Sequence, residues 1–150
     1  STGEATDLMD EYFVRFGGVR DYLAEVVDRA RATGYTETML GRRRYLPDLT
    51  SDNRQRRQMA ERMALNAPIQ GSAADIMKVA MLRVDRALAE SDLRSRVLLQ
   101  VHDELVLEVA AGEEQRVREV VTDAMGGAMD LAVPLTVAIG VGRSWFDAAH

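Results

Sequence analysis

The sequence predicts an α+β fold, in which helices come first and a small antiparallel sheet with a covering helix follows. Apolar residues recur at helical spacing through most of the first 90 positions. Beyond them, two short apolar runs rich in valine and leucine stand two residues apart, as the strands of a tight hairpin do. A chain of 150 residues with 47% hydrophobic residues can bury a substantial core. Helices and sheet in separate parts of the chain are typical of the α+β class.

The first part of the chain predicts two helices and a hairpin. The apolar period indicates a first helix over about 3–16, and Gly17-Gly18 interrupts it. The same period then resumes until Gly34, a residue type that commonly ends helices. The β-prone and basic residues 35–46 predict a small hairpin before Pro47.

The middle of the chain predicts two further helices separated at a proline. Ser51 or Asp52 can cap a helix over about 53–66, because such side chains accept hydrogen bonds from N–H groups of a first helical turn. Pro68 is expected to stop or kink this helix, since proline has no backbone N–H group. A capping-box spacing then opens a long amphipathic helix over 72–90.

The last part of the chain predicts the sheet and the helix that covers it. Residues 97–101 and 104–109 are apolar runs on either side of a two-residue turn. A helix is expected over about 113–129, with its valines facing inward. A last strand is expected over 135–139.

Charge is unevenly distributed along the chain, although the formal net charge is −5. Residues 31–66 hold eight arginines against four acidic residues, whereas the segments before and after them are acidic. A clustered basic segment can bind phosphate whatever the net charge, because screening limits each charge to about 8–10 Å. A solvated arginine face is the alternative, and charge alone does not separate the two.

Composition narrows the classes of protein. The chain has no cysteine, which excludes disulfides, thiolate nucleophiles and cysteine zinc sites and favours a reducing compartment. No run of 18 uncharged apolar residues occurs, so a membrane partner is not expected. We therefore expect a cytoplasmic location, and the start at Ser1 without a methionine indicates a cut or processed chain.

One group of titratable residues, His102, Asp103 and Glu104, lies between apolar runs. A carboxylate buried between Val101 and Leu105 would need a cation or hydrogen-bond donors, and a bound metal ion would meet that need. A solvent-exposed hairpin tip is the alternative, because aspartate is common in turns. No serine or cysteine has an obvious placement as a nucleophile, and the only other histidine is terminal, which disfavours a zinc site.

A second group, Arg62, Asn66 and Gln70, has spacings of four residues. These side chains share one helix face if the chain keeps its direction past Pro68. Arginine, asparagine and glutamine donate hydrogen bonds to phosphates, sugars and base edges, so the group is a candidate nucleic-acid contact. A solvated helix face is again the alternative.

Four strings stand in a fixed order along the chain: TGYTET at 33–38, GRRRYLPD at 41–48, ERMALNAPIQGSAAD at 61–75 and QVHDELV at 100–106. As an ordered set they resemble the C-terminal end of the bacterial family A DNA polymerases. The likeness covers nearly the whole chain, and the set is far more specific than any one string. The resemblance implies that residues 1–50 belong to the later part of the fingers subdomain and residues 51–150 to the palm, whose sheet forms the catalytic floor.

The resemblance also implies a reaction. A polymerase of this family adds deoxynucleotides to a primer 3′ end by two-metal phosphoryl transfer, with magnesium as the cofactor. On this reading Asp103 is one of the two metal-binding aspartates, Glu104 is a supporting neighbour and His102 approaches the primer end. The family therefore supplies a role for each member of the charged trio.

For Arg62, Asn66 and Gln70, the resemblance implies contacts in the minor groove of the primer–template duplex. Acceptors occupy similar places on every base pair there, so donors can bind without sequence choice. The implied partners are primer–template DNA, deoxynucleoside triphosphates and the upstream part of the polymerase.

Two parts of the family pattern do not occur in the sequence. One is the Asp-Tyr-Ser-Gln-Ile-Glu motif with the other metal aspartate, and the other is the helix whose arginine, lysine and tyrosine bind the triphosphate. The isolated chain is therefore expected to be inactive, and to act only as part of a larger polymerase. The alternative hypothesis is a standalone, non-catalytic nucleic-acid-binding module on the same scaffold.

Overall fold

The computed structural model describes residues 2–148, and the chain divides into two compact units, Ser1–Ser72 and Ala73–His150. The predicted α+β class is confirmed, with two antiparallel sheets of two strands each. Among the described residues, no helix has both the length and the apolar character needed to cross a membrane. In chain order the elements are α1 (Thr2–Arg15), α2 (Gly17–Thr33), β1 (Tyr35–Glu37), β2 (Arg43–Tyr45), a short 3-10 helix (Pro47–Thr50), α3 (Arg54–Glu90), β3 (Arg96–Val101), β4 (Glu104–Glu108), α4 (Glu114–Gly126) and α5 (Trp145–Ala148).

The first unit begins with the two predicted helices and the predicted hairpin. Helix α2 spans Gly17–Thr33, and Gly34 follows it as the C-cap with a φ of 82°, in the left-handed region that favours glycine. The Gly34 N–H donates a hydrogen bond to the Ala30 carbonyl oxygen at 2.8 Å, which satisfies one of the last helical acceptors. Strands β1 and β2 pair in antiparallel fashion, with Tyr35 opposite Tyr45.

The core of the first unit joins α2, the 3-10 helix and the first half of α3. Leu49, in the 3-10 helix, is only 2% exposed. Ala60 and Ala64 lie four residues apart on α3, and their small side chains allow the neighbouring elements to approach closely. The buried cluster consists of Val27, Ala30, Leu46, Leu49, Ala60 and Ala64.

Helix α3 shows that the predicted stop at Pro68 is wrong, because the helix continues from Arg54 to Glu90 with the proline inside it. Proline removes one helical N–H donor, which leaves the Ala64 carbonyl without its usual partner. Pro68 is itself buried, as are Ala60, Ala64 and Ser72 at the same four-residue spacing. Burial of this continuous face compensates for the lost hydrogen bond, and Ser72 lies inside the helix instead of capping a new one.

The start of α3 also differs from the prediction, which placed the cap at Ser51 or Asp52. Asn53 is the residue before the helix, and its Oδ1 accepts hydrogen bonds from the N–H groups of Gln55 at 2.9 Å and Arg56 at 3.2 Å. Ser51 does not cap the helix itself. Its hydroxyl oxygen accepts a hydrogen bond from the N–H of the capping residue, Asn53, at 3.2 Å. An asparagine cap satisfies two helical donors that would otherwise lack partners.

The second unit contains the predicted tight hairpin and the helix that covers it. Strands β3 and β4 are antiparallel, and the pair Val101–Glu104 closes a two-residue turn. An irregularity between Val97 and Leu99 shifts the register. The core of this unit consists of Val84, Leu88, Val117, Val120 and Val121.

Glu113 fastens the start of α4 to the start of β3. Its carboxylate accepts hydrogen bonds from the Ser95 hydroxyl at 2.7 Å, the Ser95 N–H at 3.0 Å and the Arg94 N–H at 3.1 Å. The Ser95 hydroxyl oxygen in turn accepts from the Ala110 N–H at 3.0 Å. These contacts, the Ser95 hydroxyl first among them, lower the pKa of Glu113 from 4.5 to about 2.

The predicted last strand over 135–139 is wrong for the described chain. Leu135, Val137 and Ile139 are half-buried and alternate with exposed residues, as in a strand, and Ile139 packs on the core of the second unit. The segment forms no ladder, however, because neither two-stranded sheet within residues 2–148 includes it. Alternating burial thus shows that one face of the segment packs against the protein. A β-strand also needs backbone hydrogen bonds to a neighbouring strand.

Candidate nucleic-acid interface and metal ligand

His102 and Asp103 form the turn between β3 and β4, and Glu104 begins β4. His102 has a φ of 51°, in the left-handed region that non-glycine residues seldom adopt. The Gln100 side-chain amide donates a hydrogen bond to the His102 carbonyl oxygen at 2.5 Å, which braces the turn. Left-handed residues of this kind cost about 1–3 kcal/mol and are found often at functional sites. The turn therefore has a defined backbone conformation.

The side chains of His102, Asp103 and Glu104 are all exposed. Within residues 2–148 none of them makes a side-chain hydrogen bond or an ion pair. Asp103 and Glu104 are therefore not buried between Val101 and Leu105, and burial does not require a compensating cation beside them. His102, Asp103 and Glu104 thus form an exposed hairpin tip in the described chain.

Asp103 fits a metal site only as one ligand among several. Among the described residues, no group of three or more histidine, aspartate or glutamate side chains could hold an ion. Magnesium, however, is usually held by one or two carboxylates together with water and substrate phosphates. A single outward-facing carboxylate on a braced turn agrees with that ligand set, provided the other ligands come from elsewhere.

Arg62, Asn66 and Gln70 form a row on α3, which we call the donor row. The continuity of α3 past Pro68 keeps all three on one helical stretch, with about 5–6 Å between the Cβ atoms of successive members. All three are exposed, and within residues 2–148 none has a side-chain hydrogen bond or ion pair. The donor row is therefore a set of hydrogen-bond donors that no group within residues 2–148 satisfies.

The donor row belongs to the first unit and the turn at Asp103 to the second. The structure thus brings Arg62, Asn66 and Gln70 together, and separately brings His102, Asp103 and Glu104 together.

The arginines of the predicted basic hairpin differ in their surroundings. Arg43 makes its contacts within the hairpin. Its Nε lies 2.7 Å from the Glu37 Oε2, and its Cζ lies 4.4 Å from the centre of the Tyr35 ring. Arg44 and Arg56, in contrast, line a cavity of about 240 Å³ in the first unit. The Arg44 guanidinium also donates a hydrogen bond to the Met63 Sδ at 3.7 Å, so Arg44 too has a partner inside the first unit.

Sequence reasoning did not single out Gly71, which the structure shows as a close contact between α3 and the loop that joins β1 to β2. The signal was present in the sequence. A glycine inside a helix costs stability, so it usually marks a place where another group packs tightly against the backbone.

Comparisons with known proteins agree on one family. The profile described as DNA polymerase family A matches residues 1–147. DNA polymerase I of Mycobacterium tuberculosis (strain ATCC 25618 / H37Rv) is 67% identical over 150 residues, which are 100% of this chain and 17% of that protein. DNA polymerase I of Bacillus caldotenax is 49% identical over 148 residues, which are 99% of this chain and 17% of that protein. This chain therefore spans about a sixth of the length of these curated relatives.

A solved structure is similar in shape as well as in sequence. The POL domain of Pol1 from M. smegmatis, in complex with DNA primer-template and dNTP, superposes with a TM-score of 0.96 at 63% identity. The match covers 100% of this chain and 26% of that one.

Proposed function

Because this chain belongs to DNA polymerase family A, we propose that it forms part of the catalytic domain of a DNA-directed DNA polymerase used in DNA replication and repair. In this proposal residues 1–50 belong to the fingers subdomain and residues 51–150 to the palm. The single observation that supports it most is the similarity over the whole chain to a polymerase domain in complex with primer-template and dNTP. The partners would be primer–template DNA, deoxynucleoside triphosphates and the rest of the polymerase, in the cytoplasm.

The donor row would bind the primer–template duplex. Arg62 offers a charged donor, and Asn66 and Gln70 offer amide donors, at regular intervals along a rigid helix. Minor-groove acceptors recur at similar positions in every base pair, so such a row can bind any sequence. A polymerase requires this indifference to sequence, because it must copy every template.

Asp103 would hold a catalytic magnesium ion together with a second aspartate from another part of the polymerase. Bound divalent ions supply charge stabilisation to the attacking and leaving oxygens of a phosphoryl transfer. The braced turn would hold the backbone of Asp103 in one place, so that only its side chain needs ordering when the metal and substrate bind. Glu104 would support this carboxylate, and His102 would lie near the primer end.

The proposal is tested by two substitutions in the complete polymerase that contains this chain. Asp103→Ala should reduce the rate of primer extension by at least about 100- to 1,000-fold, the scale seen when one charge-stabilising group is removed. Its Kd for primer–template should stay nearly unchanged, because the carboxylate serves the metal and not the duplex. Asp85→Ala is the matched control, because Asp85 is an exposed aspartate of α3 without a side-chain partner in the described chain.

Arg62→Ala should instead weaken primer–template binding equally for all sequences. If Arg62 neutralises a phosphate, the slope of log K against log salt should fall by about one. Arg86→Ala, on an exposed part of α3, is its control. Loss of DNA binding in Asp103→Ala, or a change of base preference in Arg62→Ala, would contradict the assigned roles.

The 150-residue chain by itself should not extend a primer. The sequence lacks the family motif with the second metal aspartate and the basic helix for the triphosphate. Measurable extension by the purified chain, above that of an Asp103→Ala control, would contradict this expectation.

A further inference from the structure

The loop that joins β1 to β2 makes three contacts with two consecutive residues of α3. The Arg42 guanidinium donates a hydrogen bond to the Gly71 carbonyl oxygen at 2.9 Å. The Met39 N–H donates to the Ser72 hydroxyl oxygen at 3.0 Å. Thr38 packs so closely on Gly71 that a Cβ atom at this position would lie 2.6 Å from the Thr38 Cγ2. We call residues 38–42 the clamp loop.

The clamp loop is rigid where it meets the helix. The Thr38 hydroxyl oxygen accepts a hydrogen bond from the Arg42 N–H at 3.1 Å, which fixes the rotamer that points Cγ2 at Gly71. The Thr38 N–H donates to the Arg42 carbonyl oxygen, and the Gly41 N–H donates to the Thr38 carbonyl oxygen, both at 2.9 Å. Thr38 therefore cannot rotate away from an added side chain without losing a hydrogen bond of its own turn.

The clamp loop holds α3 at the place where the helix has lost a backbone hydrogen bond. Pro68 supplies no N–H donor, so the stretch that follows it is less firmly tied to the preceding turn. Gln70 lies two residues past this proline and directly before Gly71. The clamp loop contacts residues 71 and 72, which directly follow Gln70, and so adds to the forces that fix Gln70 relative to Arg62 and Asn66.

We propose that the clamp loop is a positioning element for the donor row, and that Gly71 is the position where it acts. Close approach of Thr38, permitted by the absence of a Cβ at Gly71, sets Gln70 in line with Arg62 and Asn66. This proposal rests on the proposed function of the donor row, because it assigns the loop a role in placing the row on DNA. It concerns positioning only, since the loop itself need not touch the duplex.

The experiment uses four versions of the complete polymerase: wild type, Gly71→Ala, Thr38→Ser and the double variant. Gly71→Ala should lower kcat/KM for primer extension by about 10- to 100-fold, because small displacements of groups that align a substrate have effects of this size. Most of the loss should fall on kcat and little on the primer–template Kd, since Arg62 and Asn66 remain in place. Serine lacks the clashing Cγ2 but keeps the hydroxyl, so the double variant should return to within about twofold of Thr38→Ser.

Two controls separate positioning from general damage. Gly18→Ala makes the same change in α2, where an added Cβ meets nothing within 4 Å, and should leave kcat/KM unchanged. Alanine is a much better helix former than glycine, so a loss of activity in Gly71→Ala without a lower Tm points to the contact with Thr38. If Gly71→Ala does not fold, Ser72→Ala removes the acceptor of the Met39 N–H without adding bulk. That variant should then lower kcat in the same way.

The outcomes distinguish this proposal from that of the donor row. If Gln70→Ala alone leaves binding and extension unchanged, the proposed role of the donor row is wrong. If Gln70→Ala impairs extension and Gly71→Ala adds no further loss in that background, the clamp loop acts through Gln70 as proposed. Full activity of Gly71→Ala, no rescue by Thr38→Ser, or an undiminished further loss in the Gln70→Ala background would each overturn the clamp proposal. Where Ser72→Ala replaces the glycine variant, unchanged kcat would also overturn it.

Discussion

Leu49→Ala should destabilise the first unit more than most single substitutions do. Leu49 is 2% exposed, and it packs in the cluster that joins α2 to the first half of α3. Truncation to alanine removes apolar carbons worth about 0.8 kcal/mol each in transfer, or about 2.4 kcal/mol in total. The cavity that remains adds to this loss, so the expected decrease in the free energy of unfolding is about 3–4 kcal/mol.

Urea unfolding of the chain, followed by circular dichroism, measures this decrease. A unit of this size is stable by only about 4–11 kcal/mol, so the variant should unfold at a visibly lower urea concentration. Leu8→Ala is the matched control, because Leu8 is 68% exposed and should change stability by no more than about 0.5 kcal/mol. A loss below about 1 kcal/mol, or equal shifts for the two leucines, would show that Leu49 does not anchor this core.

Two further predictions concern polar groups. Glu113 has a folded-state pKa lowered from 4.5 to about 2, so its contribution to stability is full above pH 4.5 and is lost as the pH falls towards 2. Glu113→Gln should therefore lower the urea midpoint at pH 7, and the difference from wild type should shrink between pH 4.5 and 2; a constant difference would argue against a titrating carboxylate. Thr36 is 5% exposed and its hydroxyl has no hydrogen-bond partner within the described residues, so Thr36→Val should raise the free energy of unfolding by about 1–3 kcal/mol. A lower urea midpoint for Thr36→Val would show that the hydroxyl is satisfied in solution.

The helices and hairpins could be predicted because their signals are local. The helical period of apolar residues and the position of Gly34 predicted where α2 lies. The two residues between the apolar runs predicted the turn between β3 and β4. Two of the errors, the stop at Pro68 and the last strand, arose where tertiary packing or pairing decides. Pro68 is tolerated because the helix face on which it lies is buried both before and after the proline. A local sequence pattern does not show that this face is buried. Residues 135–139 alternate in burial, but whether they pair depends on a neighbouring strand.

The donor row could be predicted only conditionally from the sequence. The four-residue spacing predicted that Arg62 and Asn66 lie on the same helix face. Whether Gln70 also lies on that face depended on the helix continuing past Pro68. The clamp loop was beyond prediction, because its contacts join residues about 30 positions apart in sequence, such as Met39 and Ser72. The one indication in the sequence was Gly71, because a glycine in the middle of a helix often marks a place where another group packs against the backbone.

The proposed functional residues differ from Arg43 and Glu113 in having no side-chain partner within residues 2–148. Arg43 and Glu113 are used inside the fold, by an ion pair and by a network of hydrogen bonds respectively. Arg62 and Asp103, in contrast, make no such contact within residues 2–148. Exposure of Asp103 agrees with its proposed role, because a carboxylate that shares a hydrated ion with a substrate phosphate must face outward until both arrive. Asp85 and Arg86 on α3 also face outward without a partner in the described chain, so it is the ordered family strings, and not exposure alone, that single out Arg62 and Asp103.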